Sequence, residues 1–440
     1  MELRFELPRN DGKAPGGLTW PQAQASLFVH NPYDAAADVG KQRTSLLRVL
    51  HAYKVFPPDV VGGITEVIAY IAKGMAPRQE SSLLVARSRG WGRRYTFDTI
   101  PVEALVSFGT WLSTPIAPSF PFVLAKRSRE VDLVALHHPF PLNDLGVALG
   151  LPRRTALVVH WHSEILRARP LAGLLAPLIR HTLARAQRIV VSHPTLVSES
   201  PFLAAHAGKC AIIPYGIDVP YWAELDSAQR RRVEELRSRY PRLVVATGRL
   251  VPYKGFDVLI EALRQVDATA IIIGEGPLRR DLLLLAQQRG VAERLILAGR
   301  LSRDDLKVRL HAAQIYAFPS VGAAEAFGIV QLEAMAVGLP IVNTNLPTGV
   351  PHVARHGLEA LTVPPNDPAA LGAAIAQLLA ERGLAQRLGA AGRRRATTEY
   401  NLQSFVRRIE DVYDQAVRTA ESAQSKSARA FARFDDKPSL

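Results

Sequence analysis

The sequence predicts an α/β protein with two mostly parallel sheets, each in a domain of its own. Short apolar runs alternate with helical or loop segments along most of the chain, which is typical of strand–helix–strand units. The alternation stops at a charged stretch, AELDSAQRRRVEELRSRY at 223–240, and then starts again. The simplest architecture with this rhythm is two successive Rossmann-like domains with a cleft between them.

The first domain is predicted over residues 44–222, after an N-terminal extension at 1–43 in which Pro, Gly, Asp and Gln recur. Its first strand candidate, 46–52, is followed by the breaker-rich loop FPPDVVGG and a helical run at 64–75. Five further short apolar runs are predicted strands: 82–85, 131–136, 156–160, 188–191 and 211–213.

The second domain is predicted over 241–398, with the charged stretch 223–240 as a connector. Gly, Pro or polar residues follow each of its six predicted strands: 243–246, 270–273, 295–297, 315–318, 340–342 and 361–363. A C-terminal helix is predicted at 399–420, and the Ser-, Ala- and Lys-rich residues 421–440 predict a flexible tail.

Composition excludes several classes of protein. With 440 residues, 48% of them hydrophobic and 21% charged, the chain is long and apolar enough to fold, which excludes wholesale disorder. Cys210 is the only cysteine, so the chain forms no internal disulfide and no Cys-based metal site, and a reducing compartment is favoured. No signal-peptide pattern and no apolar run of about 18 residues is present, so a cytoplasmic location is expected.

The net charge of +14 favours anionic partners, and most of the surplus lies in the first domain. Nucleic acid is disfavoured because the basic stretches lack interleaved aromatics. Residues 165–198 contain no Asp or Glu, and arginines flank the apolar string LAGLLAPLI within them. This pattern fits either a helix in the headgroup layer of an anionic membrane or an ordinary amphipathic helix packed on a sheet.

A candidate anion site opens the second domain, in the string ATGRLVPYKGFDVLIEAL. A predicted strand leads through a short loop, which carries Arg249 and Lys254, into a helix. Free N–H groups and the positive end of the helix dipole, with two cations beside them, suit a diphosphate. The simpler interpretation is a pair of solvated cations around a turn.

Two carboxylates form a second signal, in the string EAFGIVQLE from Glu325 to Glu333. A charge at a helix start explains either acid alone but not both in this apolar setting. Carboxylates accept hydrogen bonds from ligand hydroxyls, and Gly328 lets a phosphate approach the backbone.

The strings GRLVPYKG, GEGPLRRDL, FPS followed by EAFGIVQLEAMAVGLPIV, and GLEALTVPPND resemble the retaining glycosyltransferases of family 4. The similarity covers about residues 45–420 and is strongest in the second domain, where the E-x7-E motif with its flanks is quite specific. The resemblance implies the GT-B fold, with a nucleotide-sugar donor held by the second domain. It also implies that Arg249 and Lys254 bind the donor diphosphate and neutralise the leaving group.

The resemblance assigns the remaining residues of the donor site. It implies that Glu325 contacts hydroxyls of the donor sugar and that Glu333 contacts those of the ribose. The backbone near the sugar and phosphates would be that of Phe327, Gly328, Ile329 and Val330. Gly274 and Glu275 would lie near the nucleotide base; their string fails as a dinucleotide fingerprint, because position 279 is Arg and not the third Gly.

The first domain offers a Gly-Gly pair and histidines. Gly62 and Gly63 fit either a close approach to a phosphate or acceptor, which the resemblance favours, or a tight turn. His162, in VVHWHSEI, matches the family's active-site histidine near the transferred sugar. His160 would point to the same side of the strand, so either histidine is a candidate to face the cleft. The LHHPFPL turn, with its two histidines at 137 and 138, is expected to line the acceptor side.

These signals predict a retaining hexosyltransferase that needs no metal and no other cofactor. No D-x-D string occurs, so the carboxylate pair that would chelate a divalent ion is missing, and Arg249 and Lys254 would take the place of that ion. The flanking strings favour GDP-mannose over a UDP-hexose. The expected acceptor is an oligosaccharide or a polyprenyl-diphosphate-linked sugar of envelope or exopolysaccharide synthesis, at an anionic membrane surface. A nucleotide-sugar epimerase, a phosphorylase and a non-catalytic basic membrane adaptor are the alternatives.

Overall fold

The structure is a computed structural model that describes residues 46–435, except Ser113 and residues 165–168. The predicted N-terminal extension at 1–43 lies outside the described residues. Among the described helices, none combines the length and the apolar character that crossing a bilayer requires.

The first domain is built on an eight-stranded sheet with the strand order β10-β9-β8-β7-β1-β2-β4-β3. All its neighbouring strands are parallel except the β3–β4 pair, and β5 and β6 form a separate antiparallel hairpin. The strands are β1 (Leu47–Tyr53), β2 (Gln79–Ala86), β3 (Arg93–Phe97), β4 (Ile100–Leu105), β5 (Thr110–Trp111), β6 (Thr114–Pro115), β7 (Leu133–His138), β8 (Ala156–Trp161), β9 (Arg188–Val191) and β10 (Cys210–Ile212).

Helices cover both faces of this sheet, which explains why its central strands are continuous apolar runs. They are α1 (Gly63–Gly74), α2 (Phe120–Arg127), α3 (Pro141–Gly150), α4 (Arg169–Arg185) and α5 (Thr195–Glu199). The Arg-flanked apolar string lies in α4, where Ala176, Ile179 and Leu183 are buried in the core on the sheet. The interpretation as an amphipathic helix packed on a sheet is therefore confirmed.

The second domain contains a six-stranded, fully parallel sheet with the order β13-β12-β11-β14-β15-β16. Its strands are β11 (Leu243–Thr247), β12 (Thr269–Ile273), β13 (Leu295–Gly299), β14 (Ile315–Phe318), β15 (Ile341–Thr344) and β16 (Ala360–Val363). The helices are α6 (Val219–Ala223), α7 (Ser227–Arg239), α8 (Phe256–Ala262), α9 (Arg279–Gln288), α10 (Arg303–Ala312), α11 (Val330–Val337), α12 (Val350–Val353), α13 (Pro368–Ala380), α14 (Arg382–Glu399) and α15 (Leu402–Asp435). Short 3₁₀ turns occur at Ala204–Lys209, Pro252–Lys254 and Ala292–Arg294.

Every predicted strand is present, and two antiparallel pairs were not predicted. The β3 strand, RRYTF, has no apolar run, and β4 alternates buried and more exposed residues and contains Pro101. The charged connector forms α7, which packs on α10 of the second domain.

The C-terminal helix was predicted too short. It continues to Asp435 instead of ending at 420, so the predicted tail at 421–440 is helical over most of its length. This helix crosses back to the first domain, where it contacts α1 and β8.

Candidate active site

The loop after β11 is shaped by two glycines with positive φ, Gly248 (151°) and Gly255 (64°). A Cβ atom at position 248 would lie 3.0 Å from Cε of Lys254, and one at position 255 would lie 2.0 Å from the carbonyl oxygen of Pro319. The glycines therefore let the Lys254 side chain fold back along its own loop, and they bring that loop against the segment that follows β14.

Lys254 forms an ion pair with one of the two predicted acids. Its Nζ lies 2.5 Å from Oε2 of Glu325, and each residue is only 9% exposed. The Ser320 hydroxyl also donates to Glu325 Oε2, at 3.3 Å. Arg249 lies on the same loop and is exposed. The predicted diphosphate loop and the predicted sugar-contacting acid thus meet at one point, with Lys254 and Glu325 neutralising each other.

The predicted base-side residues join the same loop. Gly274 has a φ of 145°, and a Cβ atom there would lie 1.9 Å from the carbonyl oxygen of Gly248. The Leu250 N–H donates to the carbonyl oxygen of Glu275 at 3.0 Å. The carboxyl ends of β11 and β12 therefore place Gly274 and Glu275 beside Arg249.

The segment between the two acids turns sharply at Gly328, whose φ is 78°. A Cβ atom at this position would lie 2.8 Å from Cζ of Phe318, so a larger residue would clash. The turn allows α11 to begin at Val330, next to Phe327 and Ile329. The positive end of the helix dipole therefore lies at the backbone segment that was predicted to approach the phosphates.

Glu333 lies in the first turn of α11 and is 8% exposed. Burial raises its pKa to about 8, nearby Glu66 of α1 acts in the same direction, and the charge of Arg303 opposes them. At neutral pH this carboxyl therefore holds its proton most of the time, so that it donates as well as accepts hydrogen bonds.

The Gly-Gly turn of the first domain faces this motif. A Cβ atom at Gly63 would lie 3.0 Å from Cδ1 of Ile329. Gly62 has an extended backbone (φ −176°) and open space around it, so sterics require no glycine there in this structure. A cross-domain hydrogen bond lies nearby: Nη2 of Arg303, at the start of α10, donates to the Tyr70 hydroxyl of α1 at 2.9 Å.

Buried histidines at the carboxyl ends of three adjacent strands form a hydrogen-bonded chain. Nδ1 of His51 lies 3.2 Å from Nε2 of His137, whose Nδ1 lies 2.9 Å from Nε2 of His162. Nδ1 of His162 lies 2.7 Å from the Tyr215 hydroxyl. Burial lowers the pKa of His51 and of His162 to about 3 and that of His137 well below its usual range. The rings are neutral at pH 7, each with one N–H to donate along the chain.

The two candidate histidines lie on the same side of β8 but have different partners. Nε2 of His160 lies 2.8 Å from the Tyr413 hydroxyl of α15. His162 bonds to Tyr215, whose ring lies 4.9 Å from that of Phe327 in the acidic motif. His162 is therefore the one adjacent to the motif. Both its ring nitrogens are engaged, so one of them reaches a sugar only if a bond to His137 or Tyr215 breaks.

The expectation that His137 and His138 line the acceptor side was wrong. Both lie on β7 and are completely buried, because helices cover the sheet on either side. Nε2 of His138 lies 3.4 Å from Oδ1 of Asp144, which is buried as well.

His193 is a further candidate site residue, which the sequence analysis did not single out. It follows β9 and is buried, with its ring 6.5 Å from Phe327 and 6.2 Å from His352. A Cβ atom at Gly349 would lie 2.6 Å from its Cδ2. The sequence did contain one indication of it: His193 comes just after a buried strand, as His162 does. Within the described ranges, no group of three or more His, Cys, Asp or Glu side chains is arranged to hold a metal ion.

Each of the two domains matches a known protein family. The family described as "Glycosyl transferases group 1" matches residues 228–395, and the "Glycosyl transferase 4-like domain" matches residues 62–216. The D-rhamnosyltransferase WbpZ of Pseudomonas aeruginosa is 31% identical over 78% of this chain and 89% of its own length.

Two further relatives are named as mannosyltransferases. The O-antigen chain mannosyltransferase C of Escherichia coli is 28% identical over 82% of this chain and 97% of its own length. A GDP-mannose-dependent alpha-(1-6)-phosphatidylinositol monomannoside mannosyltransferase of Mycobacterium tuberculosis is 34% identical over 50% of this chain and 60% of its own.

Solved structures share the architecture. The UDP complex of Anabaena Alr3699/HepE superposes with a TM-score of 0.67 at 20% identity and covers 84% of this chain and 100% of its own. The two parallel sheets are thus those of a GT-B fold. With the family matches and the motif geometry, the chain belongs to the bacterial group 1 glycosyl transferases of the family 4 type and is a hexosyltransferase.

Proposed function

We propose that this enzyme transfers mannose, or a closely related hexose, from a GDP-sugar to a lipid-linked or oligosaccharide acceptor with retention of configuration. One observation carries the proposal: Lys254 pairs with Glu325, and the segment between Glu325 and Glu333 meets the Gly63 turn of the other domain at Ile329. The names of the relatives from E. coli and M. tuberculosis, which specify mannose and, in one case, GDP-mannose, support this choice of donor.

In the proposed reaction, an acceptor hydroxyl attacks the anomeric carbon while the bond from that carbon to the β-phosphate oxygen breaks. The hydroxyl proton passes to the leaving phosphate on the same face of the sugar, which retains the configuration. Lys254 and Arg249 neutralise the charge that develops on the departing diphosphate. Glu325, released from Lys254 by the incoming diphosphate, accepts hydrogen bonds from sugar hydroxyls, and Glu333 binds the ribose.

We propose that no divalent ion takes part, because Lys254 and Arg249 can supply the positive charge that an ion would bring to the diphosphate. Turnover in excess EDTA should equal turnover without it. A loss of activity that added Mg²⁺ or Mn²⁺ restores would contradict this mechanism.

The acceptor is proposed to be membrane-borne and to be elongated at the cytoplasmic face. The positive surplus of the first domain, 20 Lys or Arg against 9 Asp or Glu over residues 41–188, suits an anionic lipid-linked acceptor. The single cysteine of the chain suits a reducing compartment. The phosphatidylinositol-based acceptor in the name of the M. tuberculosis relative supports the same class.

The first test is thermal stabilisation by a panel of GDP-, UDP- and ADP-sugars with EDTA present, because a ligand that binds only the folded state raises its stability. GDP-mannose should raise the melting temperature of the wild type but not of Lys254→Ala or Glu333→Ala. Glu293→Ala, an exposed acid of the same domain, is the matched control. Stabilisation by a UDP-sugar alone would overturn the donor assignment. If no nucleotide sugar stabilises the protein, the whole proposal is overturned.

A further inference from the structure

Two loops of the first domain expose large apolar side chains. The loop after β2 carries Trp91, which is 87% exposed, and the loop after β4 carries Phe108 (70%) and Trp111 (60%). Leu112 and Ile116 are exposed beside them. So many large apolar side chains on one surface indicate an interaction site. We call residues 87–92 and 107–116, Ser113 excepted, the aromatic platform.

Hydrogen bonds join the platform into one piece. Gly90 and Ser107 exchange two backbone hydrogen bonds, of 2.7 and 3.0 Å, and the Phe108 N–H donates to the Ile116 carbonyl at 3.0 Å. The Thr110 hydroxyl donates to the Ser88 carbonyl at 2.9 Å, which ties the two loops together a second time. The exposed rings are therefore held by a folded substructure.

Cations outnumber acids around the platform. Residues 81–97 contain Arg87, Arg89, Arg93 and Arg94 and no Asp or Glu. Asp59 pairs with Arg87 and Arg93, and Glu103 pairs with Arg94, so four cations face two acids. Arg89 and Arg94 are exposed close to Trp91 in the chain. Aromatic and aliphatic tips within a cationic rim complement the interface of a bilayer that contains anionic lipids.

The platform lies on the same edge of the sheet as the candidate active site. Its loops leave the carboxyl ends of β2 and β4, and the carboxyl ends of β1 and β8 lead to Gly63 and His162. Asp59, in the loop between β1 and α1, accepts hydrogen bonds from Arg87 Nε and from the Ser88 N–H, both at 2.8 Å. The platform is thus fastened to the loop that leads to the Gly-Gly turn.

We propose that the aromatic platform docks on anionic membranes, with its aromatic and aliphatic side chains in the interface and its arginines at lipid phosphates. This orientation holds the acceptor side of the cleft at the lipid surface; that purpose rests on the proposed membrane-borne acceptor, whereas the docking needs no donor. A neutral glycan stacked on the rings would use the aromatics but leave Leu112, Ile116 and the cations without a role, so the observations favour lipid.

The test is co-sedimentation of the full chain with phosphatidylcholine vesicles that contain or lack phosphatidylglycerol. The wild type should prefer the anionic vesicles, and added salt should weaken its binding. The triple variant Trp91→Ser, Phe108→Ser and Trp111→Ser should bind them at least about tenfold more weakly. Leu283→Ser with Leu284→Ser removes exposed leucines of the second domain and should bind as the wild type does.

A second measurement locates the contact. Lipids with brominated acyl chains should quench the tryptophan fluorescence of the wild type, and Trp91→Phe with Trp111→Phe should remove most of this quenching. Full binding by the triple variant, or equal binding of the wild type to neutral vesicles, would overturn the proposal. Binding to soluble mannan that needs Trp91, without vesicle binding, would overturn it in favour of a glycan site.

Donor binding separates this proposal from the proposed function. The triple variant should be stabilised by GDP-mannose as the wild type is, because the platform lies outside the donor site. Vesicle binding without stabilisation by any nucleotide sugar would leave the docking surface standing and overturn the function. Stabilisation by GDP-mannose without vesicle binding would support the proposed function and overturn the docking surface.

Discussion

Lys254 and Glu325 show how one contact defines a site. Each is a charged group that is almost fully buried, and each is neutralised by the other across 2.5 Å. Burying such a pair costs desolvation, and removing one partner leaves the other charge uncompensated. The pair therefore couples the order of the diphosphate loop to that of the acidic motif before a donor binds.

Lys254→Met should lower kcat/KM by about 10²–10³-fold, the loss typical of a removed electrostatic contact to developing charge. It should also lower the free energy of unfolding by about 3 kcal/mol, because Glu325 stays buried without its partner. Kinetics and urea unfolding measure the two effects.

The double variant Lys254→Met with Glu325→Leu separates these causes. It should recover most of the stability but none of the activity, since both buried charges are gone. Activity in the double variant would show that the cation serves folding alone.

Glu333 should make stability depend on pH. Its pKa is about 8 in the folded protein against an ordinary value of 4.5, so between these values the folded state keeps a proton that the unfolded chain has lost. The free energy of unfolding should therefore fall as pH rises from about 4.5 to about 8. In Glu333→Gln this contribution should vanish, so the variant should gain stability relative to the wild type as pH rises. Urea unfolding across this range measures the difference, and parallel curves would contradict it.

At the scale of elements, the carboxyl ends of β1, β7 and β8 carry the chain His51–His137–His162. The register pairs His51 with Ala135 and His137 with His160, so each bond of this chain joins a histidine to the residue two positions further along on the same face of the neighbouring strand. Neutral rings that donate in sequence hold His162 in one orientation, so His51 and His137 are positioning residues for it.

Two tyrosines offer a matched test of this chain. Tyr215 bonds to His162 at 2.7 Å and Tyr413 bonds to His160 at 2.8 Å, and both are buried. Tyr215→Phe should lower kcat about fivefold, with KM for the donor within about twofold, because one hydrogen bond contributes about 1 kcal/mol. Tyr413→Phe should lower the free energy of unfolding by a similar amount but leave kcat unchanged. Equal kcat losses in both variants would mean that the effect is structural.

At the scale of the whole molecule, three side chains proposed to hold the donor, Lys254, Glu325 and Glu333, are buried while the two domains touch. Arg303 bonds to Tyr70, the Tyr215 ring lies against Phe327, and Gly63 faces Ile329. We expect these contacts to part when the nucleotide enters, and domain opening to be a step of the cycle.

Tyr70→Phe should raise the association rate of GDP up to about tenfold, because it removes a hydrogen bond to a charged group that holds the domains closed. Stopped-flow binding measures the rate. Tyr221→Phe is the control. The Tyr221 hydroxyl also bonds to helix α10, at Asp304 (2.9 Å), but Tyr221 lies on α6, which packs on α11 of the second domain, so this bond does not join the two domains. An unchanged rate in Tyr70→Phe would show that opening does not limit binding.

The sequence by itself determined the α/β rhythm, the two domains and the motif residues, because buried parallel strands are apolar runs and phosphate loops need glycines and cations in close sequence. Residues close in sequence, such as Arg249 and Lys254 or Gly62 and Gly63, could be proposed as site residues for this reason. The charge-rich strand β3 and the half-buried strand β4 were not, because neither forms an apolar run.

Only the tertiary structure decided which distant residues meet. It paired Lys254 with Glu325, set Glu66 and Arg303 beside Glu333, linked His162 to Tyr215, and joined the exposed loops into the aromatic platform. The physical reason is that periodicity records which residues are buried, whereas the partner of a buried polar group depends on strand order and on how the domains meet.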